Sequence, residues 1–393
     1  TIPRRKFLQL SAVAAAGVIV APGREAHAGD MPQLAEDDPM AKALKYTHDA
    51  STVDPATRNN PAPEQNCAHC ALIQGTEGDT PVLDVVKQAE QRIIDTQDSK
   101  AYIGTAGDPA FNAAMQDLTF GDSGDKDRIA TIQAPGGSGS LRVAASLLLR
   151  ANPDVKVWVS DPTWANHIPL LGGAGITLEK YPYYDTEKHV IRIDAMLDGL
   201  RKADEGDVVL LHACCHNPSG LDPNEDEWRA IAEVIEKRKL LPFVDIAYQG
   251  FAQSLADDAF IVRHLADRVP EMIVSSSCSK NFGLYRDRVG TLSLLAADKK
   301  AKDVVYSQVN NVVRTIYSVP PDHGAVVVAT ILNDPDLKVA WRVELAEMRS
   351  RLREMRVLLN DALKEKAPGH DFSHLVRAKG MFCFLGITED QVN

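Results

Sequence analysis

Three short apolar runs, each leading into side chains able to do chemistry, set the terms on which this chain can fold. Leu210-Leu211 leads into His212 and the turn His216-Asn217-Pro218-Ser219-Gly220. Leu241-Pro242-Phe243-Val244 leads into Asp245 and Tyr248, and Met272-Ile273-Val274 leads into Ser275-Ser276-Ser277-Cys278-Ser279-Lys280. Runs this short, broken by helical stretches, indicate parallel strands with crossover helices. In an open sheet of that kind the ligand sits beyond the carboxyl ends of the strands. Asn217, Asp245, Tyr248 and Lys280 are therefore expected to converge there.

A lysine at the end of a buried strand needs a reason, because its ammonium is costly to desolvate unless it is paired or neutralised. One resolution is covalent: a lysine of depressed pKa forms a Schiff base with a carbonyl. Ser277, Ser279 and Arg288 nearby would suit a phosphate, and together with the lysine they point to pyridoxal phosphate. Alone, the window reads equally well as a strand end with a solvated Lys and Arg. A glycine-rich turn, Ala134-Pro135-Gly136-Gly137-Ser138-Gly139-Ser140, precedes the helical pattern Leu141 to Leu149. Glycines there let backbone amides approach a phosphate at the positive end of a helix. Four sites of compatible chemistry favour the cofactor.

The landmarks Pro135-Gly136-Gly137-Ser138-Gly139, Asp161-Pro162-Thr163-Trp164-Ala165-Asn166-His167, His216 to Gly220, Asp245-Ile246-Ala247-Tyr248-Gln249-Gly250-Phe251 and Ser279 to Tyr285 occur in one order. From about Thr80 onward the chain resembles a class I aminotransferase of the aspartate and aromatic amino acid branch. The resemblance implies an α/β, type I fold: a mostly parallel sheet with helices on both faces, plus a smaller, incomplete α/β domain. It also implies roles. Lys280 would hold the cofactor as an imine and move the proton between Cα and the cofactor's C4′. Asp245 would pair with the pyridine nitrogen, and Asn217 and Tyr248 would hydrogen-bond the phenolic oxygen. Trp164 would stack on the ring. Ser277, Ser279, Arg288 and the Gly137-Ser138 amides would hold the phosphate. Tyr102 matches a tyrosine lent to the neighbouring subunit's phosphate. Arg314 matches an arginine that reaches across the dimer to a dicarboxylate, with Trp164 and Asn217 also lining the substrate. Val319 stands where aspartate-specific relatives usually carry asparagine, which keeps aromatic substrates open. The expected partners are an amino acid, a 2-oxo acid and a second copy of the chain.

Each residue also has a plainer reading. Asp245 could cap a helix, Trp164 could be core, and Tyr248 could be a packed ring with its hydroxyl in water. His167 and His212 read as structural histidines. Cys214, Cys215, Cys278 and Cys383 read as buried small hydrophobes without metal-ligand spacing.

The first 79 residues differ in kind. Pro3-Arg4-Arg5-Lys6-Phe7-Leu8-Gln9, an apolar stretch to Pro22 and Ala26-His27-Ala28 have the layout of a twin-arginine export signal over residues 1–28. That apolar stretch is shorter than the ~20 residues that span a bilayer. Such a signal implies the periplasm; the aminotransferase resemblance implies the cytoplasm. Residues 29–79, with a short helix expected near Met40 to Tyr46, resemble the front half of a high-potential iron–sulfur protein. There Cys67 and Cys70 would be the first two cluster ligands. A four-iron cluster needs four thiolates, and the next cysteine is Cys214, so a complete cluster is not expected. The expected large domain covers 80–322 and the small domain 323–393.

The resemblance starts after the family's N-terminal arm and stops before its final Ser-Gly-Arg segment, whose arginine clamps the substrate carboxylate. Losing such a contact costs ~2–5 kcal/mol, roughly 30- to 5,000-fold in affinity, so impaired turnover is expected. The lack of an initiator Met fits a fragment. An iron–sulfur electron carrier and a non-catalytic composite of two genes stand as alternatives. A net charge of -11 argues against nucleic acid or anionic membrane as partner. Arg349, Arg351, Arg353 and Arg356 alternate with acids over Trp341 to Lys366, which predicts a solvated helix face.

Overall fold

The apolar runs become the centre of a seven-stranded sheet. The computed structural model describes residues 82–386. The export signal, the helix expected near Met40 to Tyr46, and Cys67 and Cys70 lie outside the described residues. Two helices, α1 (Asp84–Thr96) and α2 (Pro109–Phe120), precede β1 (Ile129–Pro135) and α3 (Gly136–Ala151). Next come β2 (Lys156–Asp161), α4 (His167–Gly172), β3 (Thr177–Pro182), a small hairpin of β4 (Tyr184–Asp185) and β5 (Val190–Ile191), and α5 (Ile193–Leu200). The sheet is completed by β6 (Val208–His212), β7 (Leu241–Ile246), β8 (Met272–Ser277) and β9 (Val289–Leu295). Helix α6 (Glu225–Arg238) joins β6 to β7, and α7 (Phe260–Ala266) joins β7 to β8. After β9 come α8 (Lys299–Ile316), α9 (His323–Asn333), α10 (Pro335–Lys366) and α11 (His374–Arg377).

The spatial order is β1-β9-β8-β7-β6-β2-β3. Neighbours are parallel except at β9, which runs antiparallel to both β1 and β8. The sheet is thus mostly parallel, as expected. Its central strands carry unbroken apolar runs because both faces are covered. Val208 and Leu210 of β6, Phe243 of β7 and Ile273 of β8 join one core, against Leu141, Ala144 and Leu148 of α3. The intervening Val209, Leu211, Val244, Ile246, Met272 and Val274 join the other core, against Ile231 and Ile235 of α6 and Val262 of α7. The two-residue side-chain period of a strand produces this division.

Helix α10 starts earlier than the charge pattern predicts. The Asp334 carboxylate accepts from the Asp336 and Leu337 amides, with Pro335 in the first turn, the favoured chemistry for a helix start. Trp341 anchors the helix to the segment that follows Lys280. Its ring stacks on Phe282 at 4.4 Å, and its Nε1 donates to the Asn281 carbonyl at 2.7 Å. The expected solvated arginine face is corrected in part: Arg356 is buried and the half-buried Arg349 donates to the Gly250 carbonyl, while Arg353, which donates to that of Ala252, stays exposed. Local charge alternation encodes the helix but not the backbone carbonyls it lies against. No described helix is long and apolar enough to cross a membrane.

Candidate active site

The strand ends deliver their polar residues to one cavity of about 170 Å³. Asn217, from the turn after β6, lines it, as do Asp245 and Tyr248 from the end of β7 and Lys280 from just beyond β8. Trp164, Gly137, Ser138, Ser277, Ser279 and Arg288 of the expected set line it too. The turn carrying Asn217 is fixed by Asp222, whose carboxylate accepts from the Cys215 amide at 2.8 Å and the His216 amide at 2.9 Å. Burial lifts Asp222 to about 6, against the pull of those amides and of Lys379.

One part of the cavity is built for an anion. Helix α3 begins within the glycine-rich turn itself, earlier than its apolar pattern suggests, and no side chain caps its first amides. Uncapped amides at the positive end of a 16-residue helix are ready donors. Gly136 has φ +69°, and a Cβ there would lie 2.7 Å from the Arg288 Nη2. A Cβ on Gly137 would lie 3.3 Å from that of Ser277. The glycines therefore let α3 approach Arg288 and Ser277 closely. Ser277 Oγ in turn donates to Ser279 Oγ at 3.1 Å.

Asp245 lies opposite His212 on β6 and Ser275 on β8. It caps no helix. Its Oδ2 accepts from His167 Nε2 at 3.1 Å, and its Oδ1 is buried with no hydrogen-bond partner among the described residues. Burial alone would raise this carboxyl. The His167 hydrogen bond and the electrostatic pull of His167, His212 and Lys280 outweigh it and hold Asp245 below the usual carboxylate range. Lys280 Nζ stands 4.7 Å from the centre of the Tyr248 ring, within cation–π range.

Behind Asp245 runs a relay of hydroxyls and imidazoles. His167 Nδ1 meets Thr163 Oγ1 at 2.8 Å, and the same hydroxyl meets His212 Nε2 at 3.1 Å. With Asp245 ionised, His167 donates from Nε2, Thr163 donates to His167 Nδ1, and His212 donates to Thr163. The carboxylate thus sets each proton position along the chain. His216, stacked on Tyr183 at 3.9 Å, bonds Ser160 and Ser219 in the same way. Burial, then the neighbouring His167, pushes His212 down to about 3, from an ordinary value of 6.5. A histidine held neutral in the fold but charged when unfolded binds fewer protons folded, so stability falls as the pH drops below 6.5. Urea midpoints of the cofactor-free protein are expected to fall between about pH 6.5 and 4, and the fall should be shallower in H212Q. Equal slopes would show that His212 is not responsible.

Residues 74–392 match the family model of aminotransferase class I and II. An aspartate aminotransferase of Escherichia coli is 45% identical over 318 residues, 80% of each chain. An aromatic-amino-acid aminotransferase of Pseudomonas aeruginosa is 42% identical over 340 residues, 86% of this chain and 85% of that one. The chain belongs to the class I and II aminotransferases.

The solved structures agree. The aromatic-amino-acid aminotransferase of Burkholderia pseudomallei, crystallised covalently bound to pyridoxal phosphate, superposes with a TM-score of 0.80 at 38% identity. The alignment covers 93% of this chain and 90% of that one. Residues 33–82 match the high potential iron-sulfur protein model, a span that contains Cys67 and Cys70. Within this aminotransferase, Tyr102 and Arg314 do not line the cavity. Tyr102 is 94% exposed, and Arg314 is exposed, donating to its own chain's Ser318 Oγ at 2.8 Å. Cys214, Cys215 and Cys278 are buried and Cys383 partly so. Among the described residues no cluster of His, Cys, Asp or Glu is arranged to hold a metal.

Sequence reasoning missed Thr163, Asp222 and Tyr285. Tyr285 lines the cavity and Thr163 links the two histidines. An Asp-Pro-Thr-Trp run directly after a strand was the available signal for Thr163. Nothing local marks Asp222 apart from its place in a turn.

Proposed function

We propose that this aminotransferase uses pyridoxal phosphate to exchange the amino group of an L-amino acid with a 2-oxo acid such as 2-oxoglutarate. The observation that carries the reading is Asp245, a buried carboxylate with one oxygen on His167 and the other without a partner among the described residues, in a cavity shared with Lys280. A buried acceptor left open costs about 1–3 kcal/mol, and a protonated pyridine nitrogen is the complement it lacks. The uncapped amides of α3, with Ser277, Ser279 and Arg288, fit the phosphate, and Lys280 fits the aldehyde. When bound, pyridoxal phosphate supplies an electron sink for the charge left as an amino acid loses its α-proton.

The protein's own groups divide the remaining work. Lys280 would anchor the aldehyde, and its Nζ would serve as the base for the proton at Cα. Asp245, kept ionised by His167, would hold the pyridine N–H. Asn217 and Tyr248 would donate to the phenolic oxygen. Trp164, braced edge-on by His167 at 5.2 Å, covers the ring face and excludes water. Two exposed residues, Tyr102 and Arg314, are proposed to serve the neighbouring cavity of a homodimer. Arg314 favours dicarboxylic substrates there, and Val319 leaves room for aromatic ones.

We further propose domains at 80–322 and 323–393, and a periplasmic location set by residues 1–28. Cys67 and Cys70, two thiolates of a needed four, are proposed to hold no complete cluster. One preparation tests the reading. Full-length protein incubated with pyridoxal phosphate and reduced with borohydride is expected to carry the label on Lys280. It should also contain neither iron nor acid-labile sulfide in stoichiometric amount. Unreduced protein is expected to transaminate aspartate, glutamate or an aromatic amino acid with 2-oxoglutarate. An unlabelled Lys280 overturns the proposal.

A further inference from the structure

Arg356, midway along α10, is 4% exposed, and among the described residues no carboxylate pairs with it. A buried cation without a counter-ion is costly unless its donors are satisfied. Here three backbone carbonyls satisfy them: Gly380 at 2.6 Å, Phe382 at 2.9 Å and Leu375 at 3.5 Å. The planar, five-donor fork of arginine can serve several carbonyls at once, which an ammonium on a flexible stem does poorly.

The strip that Arg356 holds is pressed against two of the cavity's walls. Lys379 donates its amide to the Gly220 carbonyl at 2.6 Å, in the turn that carries Asn217. Gly380 has φ +70°, and a Cβ there would lie 2.4 Å from that of Cys215. A Cβ on Gly220 would lie 2.2 Å from the Phe382 carbonyl oxygen. The Phe382 ring meets the Tyr248 ring edge-on, with centroids 6.2 Å apart. One turn and two turns earlier on the same helix, Arg353 and Arg349 hold Ala252 and Gly250, just past Tyr248.

We propose that Arg356 is a positioning residue: by pinning residues 380–382 it fixes both the Asn217 turn and the Tyr248 ring at the cavity. The assignment to the cofactor's phenolic oxygen rests on the function proposed above; the mechanical coupling does not. Two readouts separate them. In cofactor-free, full-length Arg356→Met, hydrogen exchange at the Lys379 amide is expected to speed up at least about tenfold. After loading with pyridoxal phosphate, the pH midpoint of the cofactor's visible absorbance is expected to rise by about one unit, since looser donors stabilise the phenolate less. The remote anion cup should keep cofactor affinity within about threefold.

An unchanged Lys379 rate overturns the positioning role, whether or not the protein binds the cofactor. Wild-type protein that fails to bind pyridoxal phosphate overturns the aminotransferase reading and leaves the exchange result standing. Should Arg356→Met not fold, Phe382→Ala, which keeps the arginine and its helix, must raise the midpoint by a similar amount. A midpoint that does not move in that variant overturns the coupling to Tyr248.

Discussion

Alanine in place of Lys280 is expected to lower kcat for transamination by about 10⁴-fold or more, because the proposed mechanism gives one side chain both the anchoring of the aldehyde and the base's role at Cα. The loss should be chemical and not structural. Lys280 is only half-buried, and its contact with the Tyr248 ring is of a kind that contributes about 0.5–2 kcal/mol. The urea midpoint of K280A should therefore move little while turnover disappears. K280R is the informative control: it keeps the positive charge, but a guanidinium does not give up its proton near neutral pH. It should be as inactive as K280A. Steady-state rates for either variant above a tenth of the wild type would remove Lys280 from the chemistry.

Asp245→Asn is expected to cost about 3–5 kcal/mol in kcat/KM, roughly 10²- to 10⁴-fold, since it takes the charge from a buried pair while keeping its shape. The carboxamide oxygen introduced by that substitution can still accept from His167, so the cofactor-free fold should lose no more than about 1 kcal/mol. That contrast is the test. A parallel fall in stability and activity would mean that Asp245 is a structural anchor for the His167–Thr163–His212 relay and nothing more. Wild-type activity should also persist on the acid side for as long as Asp245 stays ionised, because its folded value lies below the ordinary carboxylate range.

What could be read in advance was whatever the chain encodes locally. The runs ending at His212, Asp245 and Ser277 announced strands, and their unbroken apolar character announced a sheet covered on both faces. Chemistry at strand ends was legible for the same reason, as the residues that follow an apolar run are delivered to the sheet's edge. The turn at Gly136 to Ser140 was placed correctly, yet it proved to be the helix's own first turn, since glycine hides the helical period. Arg349 and Arg356 were misjudged because their partners are backbone carbonyls on other segments of the chain, and carbonyls have no sequence signature. Thr163 and Asp222 were missed for a related reason: their partners come from α4, β6 and the turn after β6. Tyr102 and Arg314 remain where a single chain leaves them, on its surface.

Strand β9 has a bearing on when the cofactor is acquired. It lies between β1 and β8, so the turn at Gly136, the Ser277–Ser279 pair and Arg288 come together only after the last strand of the sheet has been inserted. A half-formed chain offers pyridoxal phosphate a lysine but no cup. The complete cup is thus a property of the finished sheet, and a ligand held in it adds stability to the folded state by mass action.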